Sequence, residues 1–363
     1  MSKINFTMRG TITQVERAIR TIGAELTPIV QSEPGCGKSS LLGMLEESLG
    51  DGYDYIYVDC PVKDMMDVAA SIPNHATRSL EYYVSSLFKL TGPDAKANAR
   101  PKVIMLDEFM KAPKLLQIIF TRLMLERMVG DVPLPKGSLV FGTSNNASDG
   151  VGDAMLAHAG NRVCKISMEK HKAEAWCAWA SKNKIARPIR AWVAMTPKVM
   201  ASYLDGDQQD NPHIFDPKKV GVQYASPRSL AKADVIVRNK DVLGEDLMML
   251  LLAGTIGEPA ARAMAAFISL EDQLMPTSEV LKDPKGCKVP DDISVLLMMM
   301  MEAIDTIDNH DDLSGYMDFI NRIKSGEVVQ SIFFTMICRN SPKLASRNKQ
   351  INDWSTKNYA LLA

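Results

Sequence analysis

The first 166 residues alternate short apolar runs with segments that have the hydrophobic spacing of helices. Five runs have the composition of strands, and they lie at residues 27–30, 53–59, 102–106, 138–143 and 165–166. Helical patterns lie at residues 14–26, 39–46 and 80–90. Continuous apolar strands that alternate with helices are typical of a parallel sheet covered on both faces. We therefore predict an α/β core over residues 1–166.

The rest of the chain has a helical pattern. A turn-rich loop at residues 205–212 interrupts it, and the Ser-Pro pair at residues 226–227 has the form of a helix start. Residues 298–301 are four consecutive methionines in a segment that is apolar on nearly every face, which indicates a buried helix. We expect residues 167–240 and 241–363 to form two further helical parts of the molecule.

The segment between the first strand and the next helix has the composition of a phosphate-binding loop. Residues 32–39 read Ser-Glu-Pro-Gly-Cys-Gly-Lys-Ser, where the usual pattern begins with glycine. Glycines let consecutive backbone N–H groups converge on one anion, and the following helix adds the positive end of its dipole. Lys38 would reach the β- and γ-phosphates, and Ser39 would place its hydroxyl on Mg²⁺. The predicted nucleotide contacts are Pro34, Gly35, Cys36, Gly37, Lys38, Ser39 and Ser40.

Two acidic residues, Asp107 and Glu108, follow the apolar run at residues 102–106. A buried parallel strand that ends in this pair brings two carboxylates to the carboxyl edge of the sheet, where ligands bind in folds of this class. With the phosphate loop upstream, the pair predicts a nucleoside-triphosphate hydrolase. Asp107 would hold Mg²⁺ together with Ser39, and Glu108 would polarise the attacking water.

The apolar run at residues 138–143 delivers two amides, Asn145 and Asn146, to the same edge of the sheet. A neutral amide at this place can orient the attacking water against the γ-phosphate. Asn-Asn after a strand is also a common turn. Its position after the phosphate loop and the acidic pair favours the catalytic interpretation, but the residues alone do not choose between the two amides.

These motifs together resemble those of the AAA+ ATPases, and within them the MoxR-type group. Residues 107–113 are similar to that group's acidic strand end, and residues 125–135 to the hairpin that precedes its sensor strand. The resemblance implies a P-loop core with a five-stranded parallel sheet, followed by a helical lid over residues 167–240 and an additional C-terminal helical region over residues 241–363. It also places the first sensor at Asn145 rather than Asn146.

The resemblance assigns two arginines. Arg162, in the segment at residues 155–163, lies where the family presents an arginine finger to the ATP of the neighbouring subunit. Arg228, in the segment at residues 224–230, is similar to the second sensor, which reaches the γ-phosphate from the lid. A guanidinium stays charged and makes forked contacts to phosphate oxygens, which suits both roles. By analogy, the functional unit would be a hexameric ring.

The expected function is therefore Mg-ATP hydrolysis in a ring that remodels a partner protein, as a chaperone-like motor. The resemblance further implies a client or a partner with a von Willebrand A-type domain. The alternative is a nucleic-acid-handling ATPase that contacts DNA or RNA through the hairpin at residues 128–134. The formal charge of −1, from 42 basic and 43 acidic residues, and Asp131 at the hairpin tip count against nucleic acid. A non-hydrolysing scaffold is a third possibility, which the presence of both Asp107 and Glu108 disfavours.

The composition and the apolar runs of the sequence indicate the cellular compartment of the protein. Its apolar runs are far shorter than a bilayer span, residues 1–5 lack the apolar stretch of a signal peptide, and its six cysteines show no Cys-x-x-Cys spacing. We expect a cytoplasmic protein without membrane association. Cys36 lies near a helix N-terminus, a setting that can depress a thiol pKa. The sequence therefore allows two roles for Cys36. It either packs within the loop, which we favour, or is a reactive thiol whose alkylation would block nucleotide binding.

Overall fold

The structure is a computed structural model that describes residues 8–146, 162–219, 221–323 and 327–358. The chain divides into two compact units, Met1–Lys170 and His171–Ala363. The predicted subdivision of the second unit at residue 240 stays a prediction.

A five-stranded parallel sheet forms the centre of the first unit. The five strands are β1 (Pro28–Ser32), β2 (Asp54–Asp59), β5 (Lys102–Asp107), β8 (Leu139–Asn145) and β9 (Cys164–Ser167). Their order in the sheet is β2-β5-β8-β1-β9, and every neighbouring pair is parallel. Because all five run in one direction, the residues that follow β1, β5 and β8 meet at one edge of the sheet.

Helices cover both faces of this sheet. They are α1 (Ile12–Ile22) and α2 (Leu41–Leu49) on one face and α4 (Lys114–Glu126) on the other, whereas α3 (Ala95–Ala99) is a short helix that precedes β5 in the chain. One face of the sheet packs with α1 and α2 in a cluster that includes Val103 and Met105 of β5. The alternate residues of the same strand, Ile104 and Leu106, pack with α4 in a second cluster. Both faces of β5 are therefore buried, which is why its sequence is continuously apolar.

Two antiparallel hairpins accompany the sheet. The first consists of β3 (Ala69–Asn74) and β4 (Ser79–Val84), and the second of β6 (Met128–Val129) and β7 (Val132–Pro133). The hairpin predicted at residues 128–134 is confirmed. The helix predicted at residues 80–90 is wrong, because this segment forms β4 and a 3₁₀ turn at Ser86–Phe88.

The second unit is helical in the residues that the structure describes. One buried cluster extends through it from Ala173 to Ile351. Met298, Met299, Met300 and Met301 are all at most 1% exposed, so the predicted buried helix is confirmed. The helices are α5 (Ala173–Lys182), α6 (Arg187–Met195), α7 (Pro227–Arg238), α8 (Lys240–Ile256), α9 (Glu258–Ser269), α10 (Thr277–Val280), α11 (Ile293–Thr306), α12 (His310–Ile320), α13 (Glu327–Asn340), α14 (Pro342–Ala345) and α15 (Lys349–Lys357).

The observed architecture confirms the predicted fold class. The α/β core contains the predicted five-stranded parallel sheet with helices on both faces, and an additional helical region follows it.

Candidate functional site

The phosphate loop connects β1 to the helix that leads away from the sheet. After Ser32 the chain turns through residues 33–37, forms one 3₁₀ turn at Lys38–Ser40, and continues as α2. Gly35 and Gly37 have φ values of 79° and 91°, a region that residues with a side chain rarely adopt. Ser32 is the last residue of β1 and has no such requirement. Serine can therefore occupy the position where the usual pattern has glycine.

The Lys38 ammonium lies buried in this loop. It donates hydrogen bonds to the carbonyl oxygens of Ser32 at 3.0 Å and Glu33 at 3.1 Å, and to the Ser32 hydroxyl at 3.1 Å. It also donates to Oδ1 of Asn145 at 2.9 Å. The charge is thus held at the mouth of the loop by one amide and three oxygens of the loop itself. These neutral acceptors are partners that a phosphate oxygen can replace.

Asp107 ends β5 and accepts three hydroxyl hydrogen bonds. Ser39 Oγ lies 3.3 Å from Oδ2, and Tyr57 Oη lies 2.8 Å from the same oxygen. Thr143 Oγ1 donates to the other oxygen, Oδ1. The structure therefore brings the two predicted Mg²⁺ ligands, Ser39 and Asp107, together across the gap between loop and strand.

Glu108 follows Asp107 in a left-handed conformation, with φ 49° and ψ 37°. This turn directs the chain out of β5, and the backbone N–H of Glu108 donates to Thr143 Oγ1 at 3.2 Å. The Glu108 carboxylate forms an ion pair with Lys111 one turn later, where both side chains are about one-third exposed. Glu108 thus lies beside Asp107 with its carboxylate engaged by a cation rather than by the phosphate loop.

The two amides differ in their placement. Asn145 is the last residue of β8, is 7% exposed and contacts Lys38, and it lies opposite Ser32 in the parallel register of β1 and β8. Asn146 lies just past the strand and is partly exposed. The structure brings Asn145 into the site, while its role toward water stays a prediction.

Of the two arginines predicted by resemblance, Arg162 belongs to the first unit and Arg228 to the second. Arg162 is exposed and precedes β9, and residues 155–161 of its motif lie outside the described residues. Arg228 is exposed in the first turn of α7, where Ser226 and Ser229 form a capping box. The predicted helix start at residues 226–227 is confirmed. The roles of both arginines toward the γ-phosphate stay predictions.

Cys36 corrects the expectation of a depressed thiol pKa. Its side chain is 1% exposed, and burial, together with the charge of Glu33, raises its pKa to about 11. Lys170 and Lys38 lower the pKa, but by less. The thiol is therefore packed into the loop as a neutral group, and the reactive cysteine suggested by the sequence is not supported.

Three contacts of the site were missed by sequence reasoning. They are the hydroxyls of Tyr57 and Thr143 on Asp107, and the Lys111 ammonium on Glu108. Burial, and next the hydrogen bond to Asp107, raise the pKa of Tyr57 well above its usual range, so the phenol stays a donor. Thr143 lies two residues before Asn145 on a strand already assigned to the site. The period of two along a strand was therefore a signal that could have found it.

The residues of the phosphate loop, together with Asp107, are chemically suited to bind a nucleotide with Mg²⁺. Glycines at positive φ leave room for an anion against the loop, and Lys38 supplies a cation there. Within the described residues, no group of three or more His, Cys, Asp or Glu side chains could hold a metal ion. Mg²⁺ needs no such group, because it is commonly bound by one or two carboxylates together with substrate phosphates and water. One hydroxyl and one carboxylate 3.3 Å apart, Ser39 and Asp107, are suitable ligands of this kind.

No protein-family model and no curated protein matches the sequence. Similar solved structures include the RuvB Holliday junction branch migration motor of Thermotoga maritima, 12% identical with a TM-score of 0.36, covering 75% of this chain and 72% of that one. A point mutant of the same RuvB is 11% identical with a TM-score of 0.37, covering 75% and 73%. A full-length MCM homolog from Methanopyrus kandleri is 9% identical with a TM-score of 0.29, covering 71% and 54%. Similarities this distant assign no activity to the chain.

Across residues 8–146, 162–219, 221–323 and 327–358, each helix is too short or too polar to cross a bilayer.

Proposed function

We propose that this chain is a MoxR-like AAA+ ATPase that binds Mg-ATP on the phosphate loop and hydrolyses it. The observation that carries the proposal is the approach of Ser39 Oγ to Asp107 Oδ2 at 3.3 Å, beside the buried ammonium of Lys38. A metal-bound triphosphate is held by a hydroxyl and an ammonium at the start of a helix, together with a carboxylate from a neighbouring strand.

Each residue of the site has a distinct role in this proposal. Lys38 and Arg228 stabilise negative charge on the γ-phosphate, and Ser39 and Asp107 hold Mg²⁺. Glu108 polarises the attacking water, which Asn145 helps to orient. Lys111 holds one oxygen of the Glu108 carboxylate, Oε2, so a proton from water would go to the other oxygen, Oε1.

The direct test is Glu108→Gln, which keeps the shape of the side chain and removes its basicity. We expect ATP to bind with unchanged affinity and the turnover to fall by at least about 100-fold, the usual contribution of a general base. Glu126→Gln is the matched control, because Glu126 is an exposed acid of the same unit that pairs with Arg122. Wild-type turnover by Glu108→Gln would contradict the assignment.

The proposal includes a ring, hexameric by analogy, because Arg162 is assigned to the ATP of a neighbouring subunit. Arg162→Ala should still bind ATP but lose roughly 1,000-fold or more in turnover, as for other arginine fingers. A mixture of Arg162→Ala and Glu108→Gln subunits should regain activity, since each supplies the group that the other lacks. A mixture as inactive as its components would contradict action between subunits.

The work of such a ring would be the remodelling of a partner protein, a client or a von Willebrand A-type partner. ATP-dependent rotation of subunits would transmit the energy of hydrolysis, and the C-terminal helices are the candidate docking region. Pull-down with Glu108→Gln and ATP, followed by mass spectrometry, tests this by trapping the partner. Stimulation of ATP turnover by the trapped protein would support remodelling. Stimulation by DNA that is lost steeply with salt would instead support nucleic-acid handling.

A further inference from the structure

Tyr57 contacts the candidate site from a strand that carries none of the predicted site residues. It lies on β2, which pairs with β5 at the edge of the sheet, and its phenol donates to Oδ2 of Asp107 at 2.8 Å. The side chain is 46% exposed, whereas Asp107 is 6% exposed. A half-exposed tyrosine thus reaches from the sheet edge to a buried carboxylate.

We propose that Tyr57 is a positioning residue that orients the Mg²⁺-holding carboxylate of Asp107. The inference rests on the proposed function, because it assigns the metal to Ser39 and Asp107. Tyr57 is not assigned a contact with nucleotide or metal. It acts through Asp107 alone.

The geometry of the carboxylate supports this role. Its plane can turn about the Cβ–Cγ bond, and the hydrogen bond from Thr143 restrains that rotation at one oxygen only, Oδ1. Tyr57 gives Oδ2 a second fixed partner, and Ser39 Oγ lies on the same oxygen at 3.3 Å. A carboxylate oxygen accepts two hydrogen bonds or ligands. With Tyr57 on one lone pair of Oδ2, the other is directed to the side of Ser39.

Mg²⁺ is sensitive to such orientation because it demands near-ideal octahedral geometry. Hydrogen bonds that orient a metal ligand typically contribute 10- to 100-fold to metal affinity or activity. We use the lower end for Tyr57, since Thr143 still holds the other oxygen of Asp107.

The test is Tyr57→Phe, which removes only the hydroxyl. Binding of a fluorescent ATP analogue is measured in EDTA and over a titration of Mg²⁺, together with the Mg²⁺ dependence of turnover. We expect the Mg²⁺ concentration for half-saturation to rise about tenfold. The affinity for the analogue in EDTA should stay unchanged.

Tyr55→Phe is the matched control. Tyr55 lies two residues earlier on the same strand and therefore on the same face of the sheet, but its hydroxyl donates to the backbone oxygen of Gly50 at 2.7 Å. The same chemical change is thus made away from Asp107. It should leave the Mg²⁺ dependence at the wild-type value.

The outcomes separate the inference from the function on which it rests. A raised Mg²⁺ requirement in Tyr57→Phe alone supports the positioning role. An unchanged requirement, or equal changes in both variants, would overturn the role while the ATPase assignment stands. If the wild-type chain binds no nucleotide in either condition, the proposed function fails first.

Discussion

Thr143 offers a prediction in which stability and activity depend on one hydroxyl. Its side chain is fully buried, donates to Oδ1 of Asp107 and accepts from the backbone N–H of Glu108 at 3.2 Å. Valine has the same shape without the hydroxyl, so Thr143→Val removes both hydrogen bonds and creates no cavity. Asp107 and the Glu108 backbone would each lose a partner.

The magnitude follows from the two bonds. A hydrogen bond to a charged group contributes about 1.5–3 kcal/mol and a neutral one about 0.5–1.5 kcal/mol. We therefore expect Thr143→Val to lower the free energy of unfolding of the first unit by roughly 2–4 kcal/mol. ATP turnover should fall as well, because both acids lose the group that holds them. Thr143→Ser keeps the hydroxyl and should retain most of the activity.

Urea unfolding can follow this unit selectively. All four tryptophans, Trp176, Trp179, Trp192 and Trp354, belong to the second unit, so their fluorescence does not report directly on the first. Circular dichroism detects both units, and we expect the variant to shift the transition that circular dichroism detects and tryptophan fluorescence does not. Wild-type stability together with wild-type turnover in Thr143→Val would refute the assigned role of this hydroxyl.

Two further predictions concern titratable groups of the first unit. Because burial raises the pKa of Cys36 to about 11, little of it is thiolate at pH 7.5. Iodoacetamide should therefore label Cys36 far more slowly in the folded chain than in urea, which peptide mass spectrometry can measure. Rapid labelling of folded Cys36 would contradict its burial. Burial raises the pKa of Asp54, but its hydrogen bond to Lys102 at 2.6 Å and the charges of Lys102, Lys89 and Arg100 lower it below its usual value. Lys102→Met should therefore lower the free energy of unfolding by about 3 kcal/mol at pH 7. The loss should be smaller below about pH 4, where Asp54 becomes protonated in the variant. A loss that does not depend on pH would argue against the ion pair of Asp54 with Lys102.

The parallel sheet could be predicted because its strands are recognisable locally. The run from Lys102 to Asp107 is buried on both faces, so its sequence alone identifies a central strand. The phosphate loop, Asp107 and Asn145 follow three such runs directly. Their convergence could be inferred from the common direction of the strands without knowing their order.

Other features depend on pairings that the sequence does not reveal. Leu80, Val84 and Leu87 have the spacing of one helix face, but Ser79–Val84 pairs with Ala69–Asn74 instead. Ala69 and Tyr82 of that hairpin also approach Gly130 of the second hairpin. These non-local contacts override the local pattern. Similarly, Tyr57 reaches Asp107 only because β2 lies beside β5. The sequence of neither strand predicts which strand is its neighbour in the sheet.

The central claim is that the loop at residues 33–40 binds Mg-ATP, and calorimetric titration of ATP tests it most directly. Wild type, Lys38→Met and the exposed-lysine control Lys136→Met are compared in the presence of Mg²⁺. Loss of charged hydrogen bonds to phosphate, about 1.5–3 kcal/mol, predicts binding roughly 10- to 150-fold weaker in Lys38→Met and unchanged in Lys136→Met. Equal affinities for wild type and Lys38→Met, or no binding by the wild type, would contradict the claim.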